Sequence, residues 1–426
     1  MSDHPLRYAL VNELHARPFP VLQAPATAVF MALMPPEGAA RDKGQDLAHL
    51  LDLLDRHGAA HPQPNANHFS GPIGRSELKW ESHTEFVTFS AFTPGVSARP
   101  FDPFEAEVFP ESWLAAASGL RATSVLVRVL PEPASEAEML ALLDGWMVRE
   151  SLAVARVVDG AAVIAGDFRI DPAGHMRFAV FVRPGTGERR VGRIVQRLCE
   201  IETYRAMSML GLIQARELTT KLNALDPRLS TLIAELDRGD RPAEAALHEL
   251  LTIASELESL AVQSSFRFGA SGAYEAIVTQ RIAALREERI GGRQTFGEFM
   301  MRRYDPAMRT VKSTESRLRS MSERAQRAAE LLRTRVDVER SAQNQKLLES
   351  MDARADLQLR LQHTVEGLSV VAISYYAVSL GAYLVHPMAE HFHLAEGVDK
   401  ALLTPLVILG VWLGLRRIRA GMTHPT

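Results

Sequence analysis

Near the start of the chain, "NELHARP" sets a carboxylate, an imidazole and a guanidinium close together, at Glu13, His15 and Arg17. Such a trio could move protons or hold a charged substrate, because histidine titrates near neutrality and flanking charges set its state. The same spacing also suits an ordinary helix end. Glu13 and Arg17 stand four apart, as an ion pair on one helical face does, and Pro18 disfavours helix at the residue before it. Three further histidines, His57, His61 and His68, have spacings that could ligate zinc. No acid or cysteine completes that set, and loops commonly carry histidine. Arg189, Arg193 and Arg197 recur every four residues. Their stripe could contact an anion or a lipid headgroup, or it could be the solvated side of a helix. His386, Glu390, His391, His393, Glu396 and Asp399 crowd a short stretch near the C-terminus. They could concentrate cations at a pore mouth, or be the polar residues of any loop between two apolar runs.

No phosphate-binding loop, nucleophile elbow, His-Glu-x-x-His helix or dinucleotide fingerprint occurs. "GPIGRS" lacks both the lysine and the spacing of a phosphate loop. No catalytic residue, metal or cofactor is therefore expected. The bulk composition is that of a folding chain: 426 residues, 46% hydrophobic and 23% charged. A net charge of −3 gives no general field for nucleic acid. One cysteine, Cys199, excludes an intramolecular disulfide and suits a reducing compartment. The first twenty residues hold no apolar run after a basic start, so the bulk of the chain is not expected to be exported.

The apolar runs define where the chain sits. Residues 367–385 are nineteen in a row without a charge. As a helix they span roughly 28 Å, close to the roughly 30 Å of a hydrocarbon core. A second run, residues 401–415, reaches eighteen when Val398 and a snorkelling Lys400 extend it to 398–415. Arg416, Arg417 and Arg419 follow directly, whereas the intervening residues 386–397 hold acids but no Lys or Arg. Cytoplasmic flanks collect basic residues. The expected arrangement is a two-helix membrane hairpin in a bacterial inner membrane. Residues 386–397 form its external loop, 416–426 its cytosolic basic tail, and both termini are cytoplasmic.

Other elements must position these groups. Residues 1–187 read as a cytosolic α+β domain with an antiparallel or mixed sheet. Its strands come from "TAVFMALM", "EFVTFSAF", "TSVLVRVL", "SLAVARVV", "AAVIAGDFRI" and "HMRFAVFVR". Asp159-Gly160 and Asp171-Pro172-Ala173-Gly174 supply turns, and "RDKGQDLAHLLDLLDRH" and "SWLAAASGL" supply helices. Leu6, Leu10 and Leu14 share the face of an N-terminal helix, and residues 58–74 read as a loop rich in Pro, Gly and Asn. Residues 188–305 read as helical, with breaks at Asp226-Pro227, Arg241-Pro242 and Gly291-Gly292. From Pro306 to Val385 nothing forces a break, so residues 306–366 form a stalk continuous with the first span. Leu347, Leu348, Met351 and Ala355 form one set, and Leu357, Leu361, Val365 and Leu368 a second; steps of three and four place each along one side of the helix without one shared heptad register, so the stalk needs a partner. A homo-oligomer gathered in the lipid bilayer is expected, with no nucleic-acid partner.

"NELHARPF", the stretch from "FRFGASGAYEAIVTQRIAALREERIGG" to "RRYDPAMRT" at 266–310, and residues 329–376 carry a family resemblance. The chain resembles bacterial membrane-anchored proteins classed as domain of unknown function 3422. That resemblance implies membrane placement and supplies no activity and no catalytic residue. The layout is also similar, more loosely, to CorA-type magnesium channels. Those carry Gly-Met-Asn at the outer end of the first span; here Gly381 has no Met-Asn after it. The expected function is a membrane-anchored, non-enzymatic oligomeric sensor or scaffold. The alternatives are a divergent CorA-like divalent-cation channel and, less favoured, a cytosolic enzyme using Glu13, His15 and Arg17.

Overall fold

The computed structural model describes every residue except 1–2, 6, 9–18, 37–38, 65, 239–240, 392–397 and 423–426; at 237, 385–391, 398–400, 402, 415 and 418–422 it describes the backbone alone. Glu13, His15 and Arg17 lie outside the described residues, as do His393, Glu396 and most of the expected N-terminal helix. The chain forms two compact units, Met1–Ala329 and Glu330–Thr426.

The first unit is built on a sheet of nine strands: β1 (Ala26–Met34), β2 (His68–Ile73), β3 (Ser76–Ser82), β4 (Val87–Pro94), β5 (Leu120–Pro131), β6 (Ala153–Val157), β7 (Ala162–Ile170), β8 (Met176–Val182) and β9 (Glu288–Arg289). Their spatial order is β2-β3-β4-β1-β5-β8-β7-β6-β9. β5 and β8 run parallel and the other described pairs antiparallel, which makes the sheet mixed. The turn at Asp159-Gly160 joins β6 to β7 with Val158, Asp159 and Gly160 all at positive φ. The Asp171–Gly174 turn joins β7 to β8, where the Gly174 amide donates to the Asp171 carbonyl.

Alternation along the strands divides the two faces. Val29, Met31, Leu33, Leu78, Trp80, Phe89 and Leu126 point into the larger core. Helices α1 (Lys43–Arg56), α2 (Glu111–Ala115) and α3 (Glu136–Trp146) cover that face through Leu50, Leu53, Leu54, Trp113, Met139 and Leu143. Asp42 caps α1 and Ser135 caps α3 by accepting from first-turn amides. The opposite face meets α4 (Glu188–Arg238), whose Val191, Ile194, Val195, Leu198 and Ile201 are buried.

Two expectations need correction. Residues 68–73, read as loop, form the edge strand β2. Its Pro72 is tolerated because an edge strand has one unpaired side. α4 also continues through Pro227 instead of breaking there. A proline inside a helix costs about 3 kcal/mol. Here Leu222, Leu225, Leu229 and Leu232 are all buried around it, and Asp226 receives Arg317 and Arg324. Together those contacts outweigh the lost hydrogen bond.

α5 (Ala243–Ala283) lies along α4, close enough at Gly211 that a Cβ there would sit 2.3 Å from Ser271 Oγ. Gly291 and Gly292, both at positive φ, turn the chain into α6 (Phe296–Arg303). A Thr295–Glu298 capping box and the Glu287 carboxylate satisfy the first amides of α6. α7 then begins at Asp305 and runs to His391, 87 residues in all.

In the second unit, residues 337–365 of α7 are all exposed. α8 (Val398–Met422) pairs with the end of α7: a Cβ on Gly381 would lie 2.7 Å from Leu403 Cδ2. Among the described residues one helix is long and apolar enough to cross a bilayer, and only 6% of its apolar stretch is buried. The second apolar stretch, Leu403–Gly414, is shorter than a span.

Candidate functional site

In the first unit, α4 crosses the middle of the sheet and leaves β3 and β4 less tightly covered. Those strands turn mostly polar positions towards α4: Lys79 and Glu81 on β3, and Thr88 and Ser90 on β4, with Phe92 following. The facing side of α4 is polar as well, with Gln196, Glu200 and Thr203. Between them lies a cavity of about 420 Å³, walled on its apolar side by Phe30, Phe86 and Phe92.

The polar groups form a chain of contacts. Lys79, whose side chain is 6% exposed, sits 3.2 Å from Glu81 Oε2 and donates to Gln196 Oε1 at 3.1 Å. Gln196 Nε2 donates to Glu200 Oε1 at 2.7 Å, and the other Glu200 oxygen accepts from Arg281 Nε. A lysine this buried is tolerated only because both contacts replace its lost water. Arg197 donates to the Ala284 carbonyl at 3.0 Å. Burial lowers the Arg197 pKa, the neighbouring Arg281 and Arg193 lower it further, and Glu200 opposes them in part. His83 stacks on Phe86 at 4.5 Å and lies 3.3 Å from Thr88 Oγ1. Burial pushes the thiol of Cys199, also on the lining, well above the ordinary range, which disfavours the thiolate.

α5 completes the site from the side. Arg267, Tyr274 and Arg281 are seven apart, so they share one face. Tyr274 donates to Glu85 Oε2 at 2.6 Å, Arg267 pairs with Glu85 Oε1 at 2.8 Å, and Arg281 reaches the cavity. Tyr274, Tyr204 and Phe86 pack together beside it. The seven-residue spacing is the signal that sequence reading passed over.

The basic stripe is divided by its surroundings. Arg197 lines the cavity, Arg193 lies 6.0 Å over the Phe19 ring, and Arg189 is exposed. Phe19 also lines the cavity, so the residues just after "NELHARP" reach it. They are seated on the first turns of α4. The Leu22 amide donates to the Glu188 carbonyl, and Pro20 lies so close to Gly192 that a Cβ there would fall 1.7 Å from the Pro20 oxygen. Only glycine fits that crossing.

The remaining candidates lie elsewhere. His61 meets Asp55 at 2.7 Å and His68 meets Asn67 at 2.8 Å, so two of the three histidines have separate partners. Among the described residues no group of three His, Cys, Asp or Glu side chains could hold a metal. His386, Glu390 and His391 fall on α7, where a loop was expected, and Asp399 falls on the first turn of α8, within the expected second run. α7 carries Pro387 within it, followed by the good helix formers Met388, Ala389 and Glu390. Arg416 and Arg417 are exposed, and Arg416 lies 5.2 Å over the Trp412 ring; the Arg419 side chain is not described.

The fold and cavity define an α/β domain on a mixed sheet, with a partly open polar cavity, followed by long helices. The chain belongs to the family described as Protein of unknown function (DUF3422), whose model matches residues 2–422. No curated protein matches it significantly.

Proposed function

We propose that the chain is a membrane-anchored, non-enzymatic sensor. Its α/β domain binds a ligand in the cytosol, and the apolar end of α7 crosses the inner membrane together with α8. The observation that carries this reading is the long helix itself. α7 starts inside the folded first unit and ends in an apolar stretch that the chain leaves unburied. A soluble core helix of that composition would be covered. The close approach of Leu403 to Gly381 supports a two-helix hairpin, because small residues let membrane helices come near one another. The arginines at 416, 417 and 419 favour cytoplasmic termini.

Cysteines introduced singly at Ala389 and Ala420, with Cys199 replaced, test the topology in intact cells. A membrane-impermeant reagent should reach the first from outside and not the second. Equal labelling of both, or recovery of the chain in the soluble fraction, would overturn the reading. Metal-ion flux through reconstituted vesicles would favour the channel build instead.

A further inference from the structure

We infer that the cavity between β3–β4 and α4 binds a small free organic anion, with its carboxylate or phosphate on Arg197 and its polar remainder towards Lys79 and Gln196. The first support is charge accounting. Lys79 is matched by Glu81, and Arg281 by Glu200. Arg197 has a backbone carbonyl but no carboxylate in direct ion-pair contact among the described residues, with Glu200 nearby but engaged by Arg281, and Arg193 adds a second cation near the Phe19 ring. Among the described residues, positive charge is therefore left over on a half-buried side chain at the cavity wall.

Burial and neighbouring cations work against the charged form of Arg197, and Glu200 offsets them only in part. An anion would remove that cost, and the guanidinium fork matches the two oxygens of a carboxylate or phosphate. Shape and size narrow the class. A volume of about 420 Å³ lies in the range of small-molecule sites. Phe30 and Phe92 offer an apolar wall, and Ser90 and Thr203 offer hydroxyls, which suits an acid or phosphate ester with a short polar body.

The inference rests on the sensor reading for its biological sense, but its test is independent of the membrane. The full chain in detergent is titrated calorimetrically with acetate, succinate, inorganic phosphate and glycerol 3-phosphate at constant ionic strength. At least one should bind saturably at millimolar or lower concentration. Arg197→Met should weaken that binding by about tenfold or more, as loss of a charge-assisted contact does. Arg189→Met, on the same helix but away from the cavity, should leave it unchanged.

Because Arg197 also holds the Ala284 carbonyl, a second variant guards against misfolding. Ser90→Leu fills the cavity from the sheet side, keeps every charge and should abolish binding. No saturable binding of any of the four by folded protein, an equal loss in Arg189→Met, or full affinity in Ser90→Leu would overturn the site. Each of those results leaves the labelling outcome at Ala389 and Ala420 untouched, so failure of the ligand site and failure of the membrane reading are separable.

Discussion

Two stretches of α7 carry the same pattern and meet opposite surroundings. Met308, Val311, Leu318, Met321 and Ala325 step by three, four or seven residues along the helix and are all buried. Leu347, Leu348 and Met351, and then Leu357, Leu361, Val365 and Leu368, keep a similar stepping within each set and are each at least 55% exposed. The first stretch has partners in its own unit. Thr314 meets Thr219, Arg317 meets Asn223, Lys312 meets Glu275, and Val311 lies beside Gly211. The second has none among the described residues. Periodicity fixes where apolar side chains point; it does not say what will meet them. Burying each would contribute about 1.5–3 kcal/mol, so a stripe of this length favours a partner outside the single chain.

The sharpest way to break this contrast is to attack the exposed stripe. With neighbouring copies as the partner, Leu357→Asp together with Leu361→Asp should convert an oligomer in mild detergent to a monomer. The thermal midpoint of the first unit should stay where it was. Light scattering coupled to size exclusion reads the first, and circular dichroism the second. A monomeric unmodified protein, or an oligomer that survives both substitutions, would end the idea that the stripe joins copies of this chain.

The next effect separates the two stretches by stability. Leu318→Ala removes a fully packed side chain and should cost about 2–5 kcal/mol. In protein made monomeric by Leu357→Asp and Leu361→Asp, Leu347→Ala removes an exposed one and should stay within about 0.5 kcal/mol. Denaturant unfolding of both variants measures the difference. Similar losses in that monomer would mean that the stripe is covered within the single chain.

What could be read from the residues follows the same division. β1, β4 and β5 to β8 were legible because apolar runs buried on both faces leave a plain trace. β3 was not, since Lys79 and Glu81 face a polar cavity and give "SELKWES" the look of a surface segment. β2 was hidden by Gly71 and Pro72. Pro227 suggested a break because a sequence window cannot see Arg317 and Arg324 arriving from ninety or more residues away. The cavity was half legible. The stripe at 189–197 flagged Arg193 and Arg197, but their counterparts Lys79, Glu81 and Arg281 come from distant segments brought together by tertiary packing alone. Glu13, His15 and Arg17 lie outside the described residues.

Acid should also tell the packed unit from the exposed helix. His49 stacks on Trp113 at 3.9 Å, and burial holds its imidazole down at about 4. In an unfolded chain the value is about 6.5, so the unfolded state takes up the proton first. The contribution is therefore complete above about pH 6.5, is lost as pH falls towards 4, and changes no further below that. Discounted for the partial exposure of the ring, the loss is on the order of 1–2 kcal/mol. His49→Phe keeps the stacking and should flatten this part of the melting-temperature curve against pH. An unchanged slope would assign the acid sensitivity to other groups.

The smallest effect concerns what holds the packed stretch in place. Asp226 accepts from Arg317 Nη2 at 3.1 Å and from Arg324 Nη1 at 3.2 Å, one residue before the proline inside α4. All three side chains are about a third exposed, so water screens the pairing. Asp226→Ala should then cost under about 1 kcal/mol, as exposed ion pairs do. Leu318, two turns or less from both arginines, should cost several times more. If Asp226→Ala instead matched Leu318→Ala in denaturant unfolding, the ion pairs would be what carries α4 through Pro227. The contrast between the two stretches of α7 would then be one of charge pairing as much as of apolar burial.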